Sequence, residues 1–438
     1  MKLTTILDAP AWETALEGLG IPGRRVALAR EGLRQTSELR QAVRERAAIN
    51  QWKVLEALQG VGLMEGHFAA TTGYGFSDSG REVLDEAVAR IFRTPAGRLR
   101  LQVVSGTHAL AAGMFGWLRP GAELVALSGT PYDTLRPVIG TVEGSHSSLA
   151  SWGVGYRELA LLEDGRIDLE GIPSVLSERT RMVFLQRSRG YTWRPSLSIE
   201  ELAQAIAVVR RHAAQAVVMV DNCYGEMVEL VEPTEVGADL VAGSLIKNLG
   251  GAVAPCGGYL AGRQDVVERA MEWLTAPGIG PEEGPSLGYN RLLAQGLFMA
   301  PEVVGQALEG AVWAAWVLEE AGLEVWPRWD APRTDIIQAV RLGGPEGQKA
   351  FCRGVQRAGA VDHSAVPIPV VQPGYRDPIL MAGGTFIQGS SIELSADGPL
   401  RPPFACYLQG GVSLAHVQLG VLRALEELDK DGLLPISG

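Results

Sequence analysis

The sequence predicts an α/β protein: a mostly parallel sheet covered by helices on both faces, followed by a smaller α+β unit. Three observations carry that prediction. Between about Gly80 and Gly262, short apolar runs alternate with amphipathic stretches, the pattern of repeated βαβ units. The runs are strongly apolar, as strands buried on both faces must be. A Gly- and Pro-rich segment, Ala276-Pro277-Gly278-Ile279-Gly280-Pro281-Glu282-Glu283-Gly284-Pro285, then breaks the pattern before a long apolar helix.

Taken in order, residues 28–60 carry Leu33, Leu39, Val43, Ala47, Trp52 and Leu55 at roughly helical spacing, which predicts an N-terminal helical arm over 1–60. Strands are expected at 101–104, 124–127, 182–185, 217–220 and 240–242, separated by helices such as 199–214, within a large unit spanning 61–285. A linking helix, apolar over roughly 300–321, fills 286–321. The small unit, 322–438, mixes strand-like pieces at 324–326, 336–340 and 392–394 with helices at 346–358 and 414–428. Ligands in such sheets collect at the carboxyl ends of the strands.

Composition narrows the partners. The 438 residues are 46% hydrophobic with a net charge of −11, and no Lys/Arg run occurs, which argues against nucleic acid or an anionic membrane and for a small molecule. The first twenty positions include Asp8, Glu13 and Glu17 with no sustained apolar core, so no signal peptide or anchor is expected. Cys223, Cys256, Cys352 and Cys406 are scattered without a CxxC pair or metal-ligand spacing, so reduced thiols, a cytoplasmic setting and no metal are expected.

The residues that could carry chemistry sit at strand ends. The run Val217-Val218-Met219-Val220 closes on Asp221, and Lys247 follows in Ser244-Leu245-Ile246-Lys247-Asn248. A Schiff-base enzyme needs a lysine amine to hold the aldehyde of pyridoxal phosphate and a carboxylate to keep the pyridine nitrogen protonated. Lys247 and Asp221 fit those tasks; alone, the pair more often marks a turn-capping acid and a surface lysine. Ser105-Gly106-Thr107, between a strand-like run and a helix start, fits a phosphate cradle or a simple N-cap, and Ser244 could add a contact. Tyr132, after the next strand, either stacks on the pyridine ring or is a turn tyrosine. His108 reads as a turn residue. Arg401, between prolines, suits a substrate carboxylate, with Arg189 the second choice.

The Lys247 segment, the Gln186-Arg187-Ser188-Arg189-Gly190-Tyr191 run and Ile392-Glu393-Leu394-Ser395-Ala396-Asp397-Gly398-Pro399 together resemble the aluminium-resistance, or methionine gamma-lyase-like, family of pyridoxal-phosphate enzymes. The resemblance spans about Gln35 to Leu434. It implies the aspartate aminotransferase fold (type I) with a seven-stranded sheet, and β- or γ-elimination on a methionine-, cystathionine- or cysteine-like amino acid. By its pattern Lys247 holds the cofactor, Asp221 partners the ring nitrogen, Ser105, Gly106, Thr107 and Ser244 hold the phosphate, and Tyr132 stacks. Tyr74, in Gly73-Tyr74-Gly75-Phe76, and Arg81 resemble the segment that reaches a neighbouring subunit's cofactor, implying a homodimer or homotetramer. The chain departs from the better-known lyases in Asp133-Thr134 after Tyr132 and in Ser244 lying three residues before Lys247, so the substrate does not carry over.

In this reading Lys247 removes the α-proton, with an amine pKa well below about 10.4 through desolvation and the cofactor's pyridinium. Transamination, retro-aldol cleavage and cofactor binding without turnover are the alternatives.

Overall fold

The computed structural model describes residues 11–74, 78–142 and 146–434. Its larger sheet has seven strands: β1 (Ala96–Arg100), β2 (Glu123–Ala126), β3 (Gly155–Glu158), β4 (Thr180–Gln186), β5 (Val217–Asp221), β6 (Leu240–Ser244) and β7 (Gly258–Gly262). They lie in the order β1-β7-β6-β5-β4-β2-β3. Strands β3, β2, β4, β5 and β6 pair in parallel, and β7 runs antiparallel to both β6 and β1. The sheet is therefore mixed, with one reversed strand. Every residue of β5 and β6 is buried, as a sheet covered on both faces requires.

Two of these strands escape the sequence pattern, and one is displaced. Edge strand β3, Gly155-Tyr156-Arg157-Glu158, is polar and half exposed; β7 is bracketed by glycines. The strand expected at 101–104 is a turn, and the true strand is β1, five residues earlier. Arg98 and Arg100 hide it: Arg100 is buried and donates Nη2 to Asp85 Oδ2 at 2.7 Å, so a charged side chain occupies a core position with its charge answered.

The helices are α1 (Ala11–Gly18), α2 (Gly23–Gln35), α3 (Ser37–Gly60), α4 (Ser79–Ile91), α5 (Gly106–Trp117), α6 (Leu135–Ile139), α7 (Ile172–Val175), α8 (Ile199–His212), α9 (Gln264–Leu274), α10 (Asn290–Glu320), α11 (Pro345–Arg357) and α12 (Leu414–Lys430). Helix α8 shows why such segments form. Ser198 Oγ accepts from Glu201 N at 3.1 Å while Glu201 Oε2 accepts from Ser198 N at 2.8 Å, and Arg210, Arg211 and His212 sit at the negative end of the dipole. In its described part the expected arm is three helices, α1, α2 and α3, the last two separated at Thr36, whose Oγ1 donates to Gly32 O at 2.6 Å. Helices α2 and α3 pack on different cores: Val26 and Ala29 beside the smaller sheet, Val43, Val54 and Leu58 beside the larger.

The smaller sheet comprises β8 (Val325–Trp326), β9 (Ile337–Arg341), β10 (Ile379–Ala382), β11 (Ser395–Pro399) and β12 (Ala405–Gln409), antiparallel throughout in the order β10-β11-β12-β9-β8. The strand expected at 392–394 is a turn; Ile392 and Leu394 are apolar because they pack into cores, and pairing starts at Ser395. The 31-residue α10 spans both cores, contributing Leu293, Leu297 and Val304 to one and Trp313 and Val317 to the other. Among the described residues no helix is long and apolar enough to cross a membrane.

Candidate active site

The carboxyl ends of β4, β5 and β6 open onto a cavity of ≈ 420 Å³ whose far wall is the smaller sheet. Seven of the residues singled out from sequence line it: Ser105, Gly106, Thr107, Tyr132, Asp221, Ser244 and Lys247.

Ser105 caps α5, its Oγ accepting from His108 N at 3.1 Å, so the first turn of a 12-residue helix points free N–H groups into the cavity. No acidic residue stands in that turn. Gly106 packs against the end of β6: an added Cβ would meet Cys223 Sγ at 3.3 Å and Ser244 Cβ at 3.4 Å. The Thr107 hydroxyl lies 2.8 Å from both Tyr132 Oη and Thr134 Oγ1, tying the cradle to the Tyr132 loop, and Tyr132 N donates to Gln186 Oε1 at 2.9 Å. His108 lies in the first turn of α5, its Nδ1 accepting from Val104 N at 3.2 Å.

Asp221 ends β5 and is buried, with Oδ1 accepting from Cys223 N at 3.1 Å. Burial raises its carboxyl; Lys247 and Cys223 partly offset that. Lys247 stands at the start of a 3-10 turn with Nζ 4.1 Å from the centroid of the Tyr224 ring. The turn is anchored from below, where Asn248 Nδ2 donates to Glu226 O at 3.0 Å and Tyr259 Oη donates to Glu226 Oε1 at 2.8 Å. The expected lowering of the lysine pKa rests on the bound cofactor's pyridinium as well as on burial; the protein's own side chains act against it. Burial does lower it, but Cys223, Tyr224, Asp221 and Tyr132 together outweigh burial and hold the amine well above its ordinary value. Burial, followed by the Asp221 and Cys223 charges, keeps Tyr132 a neutral phenol.

Four expected residues lie off the cavity. Arg189 is buried, donating Nη1 to Trp326 O at 2.9 Å. Arg401 donates Nη1 to Asp377 Oδ2 at 2.6 Å and stands 3.7 Å from Asp133 Oδ2. The expectation that a guanidinium faces the substrate is therefore not met by either placement; both charges are answered by partners remote in sequence. Arg81 turns inward, donating to Gly284 O and Glu282 O at 3.1 and 2.9 Å, rather than outward to another chain. Tyr74 is 78% exposed, and Gly75 and Phe76 beside it fall outside the described residues.

Sequence reasoning missed much of the far wall. Asp397, Tyr407, Ser395 and Gln409 line the cavity from one face of β11 and β12, since Asp397 pairs in register with Tyr407 and Ser395 with Gln409. Tyr191, Tyr375, Ser390 and Ser391 complete that wall. Burial pushes Asp397 up to about 7 despite help from Tyr191, Lys247 and Gln409. The one local signal was Asp397 itself, an acid within Ala396-Asp397-Gly398. Tyr224, three residues after Asp221, adopts φ 72°, a left-handed conformation that aims its ring under Lys247. Among the described residues no cluster of three or more His, Cys, Asp or Glu side chains could hold a metal ion.

Comparison with known proteins places the chain by family and fold. A family model described as methionine gamma-lyase matches residues 26–429. The uncharacterised protein YnbB of Bacillus subtilis (strain 168) is 45% identical over 386 residues, 88% of this chain and 92% of that protein. The crystal structure of a carbon-sulfur lyase involved in aluminium resistance from Clostridium novyi NT is 42% identical with a TM-score of 0.91, covering 96% of this chain and 99% of that one. The pyridoxal-5'-phosphate-dependent protein YhfS of Escherichia coli, 19% identical with a TM-score of 0.59 over 89% of this chain and 97% of its own, shares the fold alone. With the family model covering nearly the whole chain on a type I fold, the chain belongs to the methionine gamma-lyase family.

Proposed function

We propose that the chain is a pyridoxal-phosphate-dependent carbon–sulfur lyase, eliminating a sulfur substituent from the β or γ carbon of an amino acid through Lys247. The observation that carries this reading is the convergence of Lys247, Asp221 and the Ser105-Gly106-Thr107 helix start on one cavity. The donor set fits the cofactor: a helix N-terminus with hydroxyls for a phosphate monoester, an amine for an aldehyde, and a buried carboxylate for a ring nitrogen. Gly106 fits it too, because the space it leaves beside Cys223 and Ser244 is space a side chain would fill.

When bound, pyridoxal phosphate supplies an aldehyde and a conjugated ring that takes up the electron pair left when the α-proton departs. Asp221 holds the proton on the ring nitrogen. Lys247 Nζ would hold the aldehyde, and its free amine would take the substrate's α-proton. It acts as a base only after giving up the proton its neighbours favour. Tyr132, kept neutral, donates its phenolic proton to a departing thiolate. The buried hydroxyl of Ser390, whose Oγ lacks a partner, and that of Ser391 beside Tyr224 serve the substrate carboxylate in place of an arginine. Ile246, Ile337 and Met381 add apolar lining that limits water. The exposure of Tyr74, outside its own cavity, supports a homodimer or homotetramer in which it serves a neighbouring site. The four free cysteines support a cytoplasmic setting.

Borohydride reduction of the loaded protein and peptide mapping test this directly. A phosphopyridoxyl adduct on Lys247, with ammonia and keto acid released from a sulfur amino acid, is expected. No adduct, or an adduct on another lysine, overturns it.

A further inference from the structure

Among the described residues lining the cavity, Lys247 is the sole lysine or arginine, against three carboxylates: Asp133, Asp221 and Asp397. Asp133 faces Arg401 at 3.7 Å, and Asp221 has the ring nitrogen. Asp397 has no assigned task, yet it is 7% exposed and aimed into the cavity from the middle of β11. Its Oδ2 accepts from Gln409 Nε2 at 2.8 Å; Oδ1 is buried with no hydrogen-bond partner, although the Tyr191 hydroxyl lies close enough to favour the charge. A buried carboxylate with one oxygen left unpartnered is costly, and a chain that keeps one at a ligand cavity can offer that oxygen to a cation.

The surroundings define which cation. Tyr191 lies against Tyr375 with ring centroids 5.9 Å apart at 44°, and against Tyr407 at 5.4 Å and 49°. Tyr407 is the register partner of Asp397 on β12, so ring and carboxylate share one face of the sheet. Aromatic faces attract alkylated onium ions, which need no hydrogen-bond acceptors, and a single carboxylate oxygen cannot satisfy the three donors of a primary ammonium.

We propose that Asp397, with Tyr191, Tyr375 and Tyr407, receives a positively charged sulfur, so that the substrate is a sulfonium amino acid. This rests on the lyase reading for its chemistry. The carbon–sulfur bond breaks with its electron pair going to the trivalent sulfur, which leaves as a neutral thioether and needs no proton from Tyr132; the α-proton goes to Lys247. With water, the net products are thioether, keto acid, ammonium ion and one released proton, whereas elimination of a thiol releases none.

Isothermal titration of the loaded enzyme with S-methylmethionine, methionine and lysine tests the subsite. S-Methylmethionine is expected to bind about tenfold more tightly than methionine, and Asp397→Asn to bring the two within about threefold. Methionine binding as tightly as S-methylmethionine overturns the proposal, as does a tenfold preference that survives Asp397→Asn. Lysine matching S-methylmethionine overturns the assignment to sulfur. If Asp397→Asn does not fold, the wild-type comparison decides alone. Trimethylsulfonium titrated into cofactor-free protein separates the two readings: cation binding with no Lys247 adduct sinks the lyase and leaves the subsite, while an adduct without preference for the cation sinks the subsite alone.

Discussion

Glu226→Gln is expected to stabilise the protein at alkaline pH and to leave it nearly unchanged at acid pH. Glu226 is fully buried beneath the lysine turn, with Oε1 bonded to Tyr259 at 2.8 Å and Oε2 without a partner. Burial outweighs the help of Tyr259 and Lys247 and pushes the carboxyl from 4.5 up to about 8. The folded protein thus holds this proton more tightly than the unfolded chain, so the group's contribution is complete below pH 4.5 and is lost as pH rises to about 8. The difference, 8 − 4.5 or about 3.5 units, at about 1.36 kcal/mol each gives about 5 kcal/mol. Glutamine keeps the acceptor for Tyr259 and puts an uncharged amide where the protonated acid carries its hydroxyl, so the variant matches the wild type at low pH. With an unfolding entropy of about 0.9 kcal/mol/K for 438 residues, the gain at about pH 9 corresponds to about 5 °C in Tm. Scanning calorimetry of both proteins at about pH 5, 7 and 9, at equal cofactor content because ligand binding itself raises Tm, reads the effect. A Tm difference that does not change with pH, or one that shrinks as pH rises, refutes the reasoning.

Four further outcomes are expected. Lys247→Ala should lose the reducible adduct and lower kcat at least about a thousandfold; retained activity would remove the lysine from the mechanism. Gly106→Ala should raise the cofactor Kd about tenfold with little change in Tm, because the methyl enters the cradle 3.3 Å from Cys223 Sγ; unchanged affinity would move the phosphate elsewhere. Arg401→Ala should change KM by less than about fivefold, since it removes a half-exposed ion pair with Asp377 and reaches the cavity only through Asp133 at 3.7 Å; a rise above about thirtyfold would return it to the substrate. Stopped-flow capture of pyridoxal phosphate by cofactor-free protein should quicken steadily from about pH 7 to about pH 10, because Lys247 is held protonated above its ordinary value; a rate already level at neutral pH would show a free amine.

The cofactor half of the site was legible because its residues occupy positions that local sequence marks. Asp221 closes an apolar run, Ser105 precedes a helix, and Lys247 follows β6 by a short turn, so pattern alone put them at strand ends facing one cleft. The arginines were misread because a charge in sequence does not reveal its partner: Asp377 pairs with Arg401 from 24 residues away, while Arg189 donates to the Trp326 carbonyl 137 residues on and has the Asp335 carboxylate nearby. Lys247's protonation was missed for the same reason, since Tyr132 and Tyr224 reach it only through the fold. Strand β1 was lost to arginines whose partner Asp85 lies on α4.

The far wall was illegible for a different reason, which bears on how such a family changes substrate. Its residues come from β11 and β12, where a period of two alternates cavity-facing with core-facing positions: Ser395, Asp397, Tyr407 and Gln409 face in, while Ala396, Cys406 and Leu408 fill the core behind. A substitution at an inward position alters the substrate wall without touching the core or the strand pairing. The opposite wall has no such freedom, because Gly106, Asp221 and Lys247 are fixed by a helix start, a buried strand end and an anchored turn. The two sheets thus divide the site into a cofactor wall held by backbone geometry and a substrate wall held by side-chain identity. A sequence pattern reads the first; for the second, the pairing of β11 with β12 must be known before Asp397 can be placed beside Tyr407.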